Sequence, residues 1–378
     1  MAATPILGAV SPPDPISFAR GAPSADILPA EAVREAAARA LQDDWKRALA
    51  YGLGPGHPGL CEWIAELHGL EPAQVMATNG SLEGGAMLFE QIVEPGDRVA
   101  VEQPSYDRTL LLLGRREAEF VPIPLEEDGL DVEALEEAAK KGLKLLHVIP
   151  NFHNPAGCTL SAAKRARVLE LATEHGFVIF EDDPYRLLHF EAEPPPTMLS
   201  GDEADRVIHA SSFSKTVSPG VRIGYLAGPE KAITALAKRA NETYISPNML
   251  AESIVWELCR SGGIDENIEF VRGALRERRD AMIEALREHL PEAEFVVPGG
   301  GYFLWLTLGE DVDSTELLQA SALEGVTFIP GPDFMLEGGE SALRLSFAPV
   351  AAEQMAAGVS RIAKALEGLR SRVGSTAT

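Results

Sequence analysis

Between residues 75 and 228, short apolar segments alternate with longer segments whose apolar residues recur at helical spacing. The apolar segments are typical of buried strands: Val75–Thr78, Arg98–Val101, Glu119–Pro122, Leu143–Ile149, Val178–Glu181, Val207–Ala210 and Ile223–Ala227. The helical candidates between them include Leu82–Ile92, Thr109–Arg115, Val132–Lys140 and Ser161–His175. This alternation predicts an α/β fold with a mostly parallel, doubly wound sheet and helices on both faces.

The flanking segments follow other patterns. The first 30 residues are rich in Pro and Gly and indicate an extended arm with a short strand at Ile16–Phe18, followed by a helix from Pro29 to about Trp45. A helical pattern runs from Ser246 to Leu290 with a break at Gly262-Gly263. The later segments predict strands Phe295–Val297, Tyr302–Thr307, Thr327–Ile329 and Ala342–Ser346, a helix Ala351–Leu369 and a polar tail Arg370–Thr378.

These patterns divide the chain into three parts. Residues 1–45 form an arm and helix that we expect to pack with the smaller domain, and residues 46–250 form a large domain. Residues 251–378 form a smaller α+β domain.

Charge and cysteine content narrow the class of protein. The 33 basic and 57 acidic residues of the 378-residue chain give a net charge of −24, which argues against a nucleic-acid partner. Cys61, Cys158 and Cys259 are widely spaced and form no Cys-x-x-Cys, so we expect neither disulfides nor a metal site. The N-terminus has no secretory pattern, and no apolar run approaches the roughly 18 residues of a membrane span. A reducing cytoplasmic location and no membrane partner are therefore expected.

One of the nine lysines stands in an unusual setting. Lys215 lies in Ser211-Ser212-Phe213-Ser214-Lys215-Thr216, a run of small hydroxyl residues just after a predicted strand, whereas the other lysines have charged or polar neighbours. A lone amine in such a loop favours a lowered pKa and nucleophilic chemistry, such as a Schiff base with a carbonyl. A lysine that reaches from the loop to solvent is the alternative.

Other polar residues follow the neighbouring predicted strands. They are Gly80-Ser81, Tyr106, Asn154, Asp182 with Tyr185, and Ser212. Ligands of open α/β sheets bind beyond the carboxyl ends of the strands, so these residues are expected to meet. Taken singly, each is compatible with an ordinary helix cap, turn or solvated loop. Together they supply every role of a pyridoxal phosphate site: a helix N-terminus for phosphate, an aromatic face, a carboxylate for the pyridine nitrogen, two groups for the ring oxygen and an amine.

With these residues, the chain resembles the family of pyridoxal-phosphate-dependent class I/II aminotransferases of fold type I. It is most similar to the subgroup of 2-aminoadipate and kynurenine aminotransferases and to the related domain of certain winged-helix regulators. The similar stretches are Phe18–Pro23, Tyr51–Gly56, Pro150–Gly157, Glu181–Tyr185, Ser212–Lys215 through Arg222–Tyr225, and Leu343–Phe347. The likeness covers about residues 16–368.

The resemblance implies roles around the cofactor ring. Lys215 would form the Schiff base and move the proton, and Asp182 would pair with the pyridinium nitrogen. Tyr106 would stack on the ring, while Asn154 and Tyr185 would contact its oxygen.

It also implies a phosphate site. Ser81, Ser212 and Arg222 would hold the phosphate with the backbone amide of Leu82, at the helix that Gly80 opens. The family often has two glutamines after the serine, where this chain has Leu82-Glu83, so a side-chain contact is lost.

The substrate and partner expectations come from the same resemblance. Arg344 and Asn154 would bind the α-carboxylate of an L-amino acid or a 2-oxo acid, and Gly21 would line the cleft. Tyr51 would reach the cofactor phosphate of a second subunit, which implies a homodimer. The expected reaction is a ping-pong amino transfer to 2-oxoglutarate, with Arg20 nominated for the distal carboxylate of glutamate. Arg20 is equally compatible with a surface ion pair.

Some readings stay open. His153 and Ala156 replace a common glutamine and threonine beside Asn154, with no assigned effect. A lyase or decarboxylase would use the same cofactor. Ser212-x-x-Lys215 also matches a class of hydrolases, but the Ser-Asp-Asn and Lys-Thr-Gly motifs of that class do not occur. A sensor domain of a winged-helix regulator would need a basic DNA-binding segment, which the sequence lacks.

Overall fold

A computed structural model describes residues 14–376. Its strands are β1 Ile16–Ser17, β2 Val75–Thr78, β3 Arg98–Gln103, β4 Glu119–Glu126, β5 Gly129–Leu130, β6 Leu145–Val148, β7 Val178–Asp182, β8 Val207–Ser212, β9 Gly224–Ala227, β10 Phe303–Thr307, β11 Val326–Thr327, β12 Ile329–Pro330 and β13 Ala342–Ser346. Its α-helices are α1 Ala30–Asp43, α2 Trp45–Ala48, α3 Pro58–His68, α4 Ser81–Ile92, α5 Asp107–Gly114, α6 Val132–Lys140, α7 Ala162–His175, α8 Glu230–Tyr244, α9 Met249–Arg260, α10 Gly263–His289, α11 Ser314–Leu323 and α12 Met355–Thr376.

The large sheet has eight strands in the order β2-β9-β8-β7-β6-β3-β4-β5. Strand β9 runs antiparallel to both neighbours and β5 antiparallel to β4, and the other pairings are parallel. Because successive side chains of a strand point to opposite faces, Leu145 and Phe180 pack on one side while Leu146 and Ile179 pack on the other. Helices α4, α5 and α8 cover the first face, and α3, α6 and α7 cover the second. The predicted fold class is confirmed.

A second core lies in the smaller α+β lobe. Strands β10, β13 and β12 form an antiparallel sheet, and β1 pairs in parallel with β11. Ile16 and Phe18 of the N-terminal arm are buried in this core beside α10 and α12. Ile16 and Phe18 thus lie in the small-lobe core, whereas Ala36 of helix α1 lies in a core of the large sheet. The expected packing of residues 1–45 with the smaller domain, and the boundaries after residues 45 and 250, remain predictions.

Several predicted elements differ from the structure. Phe295–Val297 is not a strand: Val296 and Val297 are exposed, and only the neighbouring Glu294 makes an isolated bridge, to Thr307. The single strand expected at Thr327–Ile329 is two short strands, because β11 pairs with β1 and β12 pairs with β13.

The C-terminal end also differs. The expected tail from Arg370 is helical through Thr376, as a continuation of α12. Residues 1–13 of the expected arm and 377–378 of the expected tail lie outside the described residues. Among the described residues, no helix combines the length and the apolar character needed to cross a membrane.

Candidate active site

The carboxyl ends of β2, β7 and β8 meet at one edge of the large sheet. Thr78 at the end of β2 is opposite Gly224, which is itself opposite Ser212 at the end of β8. A Cβ atom at Gly224 would lie 2.3 Å from the backbone nitrogen of Ser81, so only glycine permits this approach. The close approach brings the start of α4 beside the end of the lysine-bearing strand.

An anion site is built at the start of α4. Gly80 has φ 94°, in the region that favours glycine, and a Cβ atom there would lie 2.3 Å from Arg222 Nη2. The Arg222 guanidinium donates to the Asn79 carbonyl (3.2 Å) and to Ser214 Oγ (3.3 Å). Helix N–H groups and a guanidinium next to Ser81 are suited to a phosphate.

The Lys215 amine lies in the cavity that these elements enclose. Its Nζ donates to the Gly21 carbonyl at 2.6 Å and lies 5.1 Å from the ring centre of Tyr302. Burial, together with the positive charges of Arg344 and Arg222, lowers the Lys215 pKa to about 8, although Asp182 opposes the shift. An amine with this pKa is partly neutral near pH 8, which suits a nucleophile.

Asp182 ends β7, lines the cavity and has a buried side-chain oxygen without a hydrogen-bond donor among the described residues. Its Oδ1 atom is buried and has no hydrogen-bond partner in the part of the chain that the structure describes. Its Oδ2 lies 3.8 Å from His147 Nε2, and that ring nitrogen is also 3.3 Å from Thr109 Oγ1. A buried carboxylate oxygen without a donor is costly, so the site fits a ligand that brings an N–H group, as a protonated pyridine does.

Two tyrosines flank this cavity as neutral phenols. Burial, with the nearby Asp107 and Asp182 carboxylates, raises the pKa of Tyr106 to about 12. Burial also holds the pKa of Tyr185 well above its ordinary value. Both side chains can therefore donate a hydrogen bond or stack without carrying charge.

Arg344 closes the site from the small lobe. It donates to Asn154 Oδ1 (2.9 Å) and to the Ala19 carbonyl (2.6 Å), and its guanidinium lies 4.3 Å from the ring centre of Phe303. Its Nε atom is buried without a partner within residues 14–376. Burial lowers the Arg344 pKa to about 10, so the group remains charged near neutrality and can bind a carboxylate.

The structure brings most of the predicted residues together. One cavity is lined by Ser81, Leu82, Tyr106, Asn154, Asp182, Tyr185, Ser212, Lys215 and Arg222. An adjoining cleft shares several of them and adds Gly21 and Arg344. Two predicted residues lie elsewhere on the described subunit: Tyr51 is 83% exposed, and Arg20 is exposed and does not line the cleft.

Sequence reasoning missed further lining residues. The cleft also contains Asp107, Arg108, Phe303, Asp333 and Phe334, and Ser214 lines the cofactor cavity. Ser214 stands in the hydroxyl-rich run and could have been nominated from it. The small-lobe residues carry no local signal, because only the packing of the two lobes places them there.

Together the sheet edge, the helix N-terminus, the buried amine and the unsatisfied carboxylate define a pyridoxal-phosphate-dependent enzyme of fold type I. The family model for aminotransferase class I and II matches residues 13–362. The chain belongs to this aminotransferase family, and pyridoxal 5′-phosphate is its cofactor.

Named relatives agree along almost the whole chain. It is 36% identical to a 2-aminoadipate transaminase of Thermus thermophilus, over 94% of this chain and 91% of the relative. It is 33% identical to aromatic-amino-acid aminotransferase 1 of Thermococcus litoralis, over 96% and 90%. A solved alpha-aminoadipate aminotransferase from Thermus thermophilus, complexed with N-(5′-phosphopyridoxyl)-L-leucine, superposes with a TM-score of 0.90 at 34% identity, over 94% of this chain and 93% of that one. These findings confirm the family, fold and cofactor predictions.

Proposed function

We propose that this aminotransferase moves the amino group of an L-amino acid to 2-oxoglutarate in a ping-pong cycle. The observation that carries the proposal is one cavity holding the Lys215 amine and the unsatisfied Asp182 oxygen, with the Arg344 guanidinium in the adjoining cleft. A single carboxylate-binding arginine can serve the amino acid and the oxo acid in turn, as a two-step cycle with one site requires.

Each residue would have a distinct task around the cofactor. When bound, pyridoxal phosphate supplies an electron sink for the bonds at the substrate Cα. Lys215 would bind the cofactor and carry a proton to and from the substrate, since a pKa of about 8 allows it to accept and donate near neutrality. Asp182 would keep the ring nitrogen protonated, and Tyr106 would stack on the ring. Asn154 and Tyr185 would hydrogen-bond to the ring oxygen.

Different groups would hold the cofactor phosphate and the substrate. Gly80, Ser81, the amide of Leu82, Ser212 and Arg222 would hold the phosphate at the start of α4. Arg344, with Asn154 beside it and Gly21 lining the cleft, would hold the substrate α-carboxylate.

The rival reactions have less support. The Ser212 hydroxyl donates to the Ile223 carbonyl (3.2 Å) and accepts from the Ser214 amide (3.0 Å), whereas Lys215 bonds to Gly21, so the pair does not form a serine–lysine dyad. The relatives above are named aminotransferases, which disfavours a lyase or decarboxylase. A cytoplasmic location remains a prediction.

The half-reactions provide the test. We expect the purified enzyme to be yellow, to lose that colour on addition of an amino acid and to regain it with 2-oxoglutarate, because the two half-reactions can be separated in a ping-pong cycle. Absorption spectra recorded after each addition check this. A spectrum that bleaches but returns with no 2-oxo acid would contradict amino transfer and favour another reaction of the same cofactor.

We also propose that the active unit is a homodimer in which Tyr51 reaches the partner's cofactor phosphate. Tyr51 extends from a segment whose Leu49 and Leu53 are also largely exposed, and contiguous exposed apolar residues mark association surfaces.

The Tyr51→Phe variant should therefore remain dimeric but bind the cofactor about tenfold more weakly, which is the loss of about one hydrogen bond to a charged group. Sedimentation gives the oligomeric state, and equilibrium dialysis gives the cofactor affinity. Tyr244→Phe is the matched control, because it removes a neighbouring tyrosine hydroxyl, near Glu83, that has no part in the proposed phosphate contact. A fully active monomer would refute the shared site.

For the substrate side chain, we propose that Arg20 meets the distal carboxylate of glutamate. Arg20→Ala should then raise the KM for glutamate and spare neutral amino acids. Arg108→Ala is the comparison, because Arg108 lines the cleft mouth and lies 3.4 Å from the Asp107 carboxylate. If KM for glutamate rises selectively in Arg108→Ala and not in Arg20→Ala, Arg108 is the acidic-substrate determinant and Arg20 is a surface residue.

A further inference from the structure

We infer that Glu102 and His153 form a buried positioning pair that orients Asn154 toward both the cofactor ring and Arg344. Neither side chain touches the cavity, and neither is part of the machinery described above. The inference rests on the proposed function, because the task assigned to the pair is to hold a cofactor- and substrate-binding residue in place.

The pair is almost completely enclosed. Glu102 on β3 is 1% exposed and His153 is 0% exposed. Glu102 Oε2 accepts from the Ile149 amide at 2.8 Å and lies 3.0 Å from His153 Nε2, a close contact that does not have the geometry of a hydrogen bond. The nearby Cys158 is a neutral thiol, because burial and the Glu102 charge raise its pKa to about 12.

The two ring nitrogens of His153 have different partners. Nδ1 accepts from the Ala156 amide at 3.2 Å, which it can do only without a proton of its own. The ring proton is therefore on Nε2, the nitrogen that faces Glu102. His153 therefore contacts the turn that follows it through Nδ1 and strand β3 through Nε2.

The turn that carries Asn154 needs such ties. Phe152, just before His153, has φ 49°, a conformation that is unfavourable for a bulky residue and persists only when its surroundings impose it. Its ring lies where a Cβ atom on Gly300 would come within 2.6 Å, so the turn is also wedged against the small lobe. Local backbone preference does not determine the direction of the Asn154 side chain.

Asn154 is the point at which the pair can affect chemistry. Its Oδ1 accepts from Arg344, which leaves its amide N–H groups to donate toward the cavity that it lines. A shift of the 153–157 turn would weaken both contacts together. A hydrogen bond from Asn154 to the cofactor ring oxygen would disperse the negative charge of that oxygen, which otherwise stabilises the positive charge of the nearby protonated Schiff base at Lys215. Loss of this hydrogen bond should therefore raise the pH at which the absorption spectrum of the bound cofactor changes.

A purely structural role makes a different prediction. A buried pair that only stabilises the fold would lower the melting temperature on substitution, yet leave the spectral transition and the KM values of the folded, loaded enzyme unchanged. The variants must therefore distinguish the contact made by Nδ1 from the contact made by Nε2. Their effects must be measured by spectroscopy as well as by kinetics.

Two substitutions at one position make that separation. In His153→Asn, the side-chain oxygen can still accept from the Ala156 amide but cannot reach Glu102; in His153→Gln, the longer amide can reach Glu102. Glu102→Leu tests the partner, because it removes both carboxylate oxygens at similar volume. His175→Gln, at a partly exposed position at the end of α7, is the matched control.

The experiment is a pH titration of the bound cofactor's absorption spectrum, with KM for the amino acid and the oxo acid and the melting temperature. We expect His153→Asn and Glu102→Leu to raise both KM values about tenfold and the spectral midpoint by roughly half a pH unit. His153→Gln and the control should stay close to wild type. The double variant should show no more than the larger single effect, since the residues act through one contact.

Wild-type midpoints and KM values in folded His153→Asn and Glu102→Leu would overturn the inference, whatever their melting temperatures. If Glu102→Leu does not fold, the contrast between the two His153 variants decides by itself. Failure of the proposed function is recognised separately, because the wild-type enzyme would then lack the two half-reactions before any variant is compared.

Discussion

The Lys215→Ala variant is expected to lose multiple turnover by at least about 10⁴-fold while keeping some affinity for the cofactor through the phosphate site. The reason is the proposed role of the Lys215 amine, which would both bind the cofactor covalently and move the proton at the substrate Cα. The Gly21 contact and the surrounding burial place the amine in the cavity, and no other lysine lines the cavity or the cleft within residues 14–376.

Two measurements check this expectation. Steady-state rates give the loss of turnover, and borohydride reduction followed by peptide mapping should attach the cofactor to Lys215 in the wild type and to no site in the variant. Lys238→Ala, at an exposed position on α8, is the control and should behave as wild type. Sustained turnover by Lys215→Ala, free of wild-type contamination, would remove the amine from the mechanism.

The Asp182→Asn variant is expected to fold and bind cofactor but to remove the substrate proton on the order of 10²–10³ times more slowly. A carboxylate stabilises a protonated ring nitrogen, whereas a neutral amide does not, and an unprotonated ring is a weaker electron sink. The structural basis for this expectation is the buried Asp182 Oδ1 atom, which has no donor among the described residues, in a side chain that lines the cofactor cavity.

The rate of the first half-reaction, measured in a single turnover with cofactor bound, tests the role of Asp182. Asp183→Asn supplies an adjacent control: burial raises the pKa of Asp183 to about 6, and its Oδ2 accepts from Asn151 at 2.6 Å, a contact that an amide oxygen can also accept. We expect little change there. An undiminished rate in Asp182→Asn would show that the Asp182 carboxylate has no role in proton removal.

Much of the cofactor cavity could be predicted from the chain, for one physical reason. Parallel strands place their carboxyl ends on the same edge, so residues that follow Val178–Asp182 and Val207–Ser212 must be neighbours even though they are far apart in sequence. Asp182, Ser212 and Lys215 follow this rule. The same rule applies to Tyr106, which comes after strand β3, and to Asn154, which comes after strand β6.

The substrate cleft could be predicted only in part. Arg344 was reached through family resemblance, while Phe303, Asp333 and Phe334 were missed, because they belong to the small lobe and meet the large sheet only through packing. Val296 and Val297 show the opposite error. Their β-branched side chains indicated a strand, but the structure leaves them exposed and without a strand partner among the described residues, and strand formation requires one.

The sequence by itself determined the alternation of elements and the residues at the strand ends, because side-chain periodicity and turn chemistry are local properties. Only the tertiary structure decided which groups remain unsatisfied and which are tied down. Among the described residues, it leaves Asp182 Oδ1 and Arg344 Nε without partners, and it places His153 Nε2 3.0 Å from a carboxylate oxygen of Glu102, 51 positions away. Such features depend on burial and on contacts between distant segments, and neither is encoded in any short stretch of the chain.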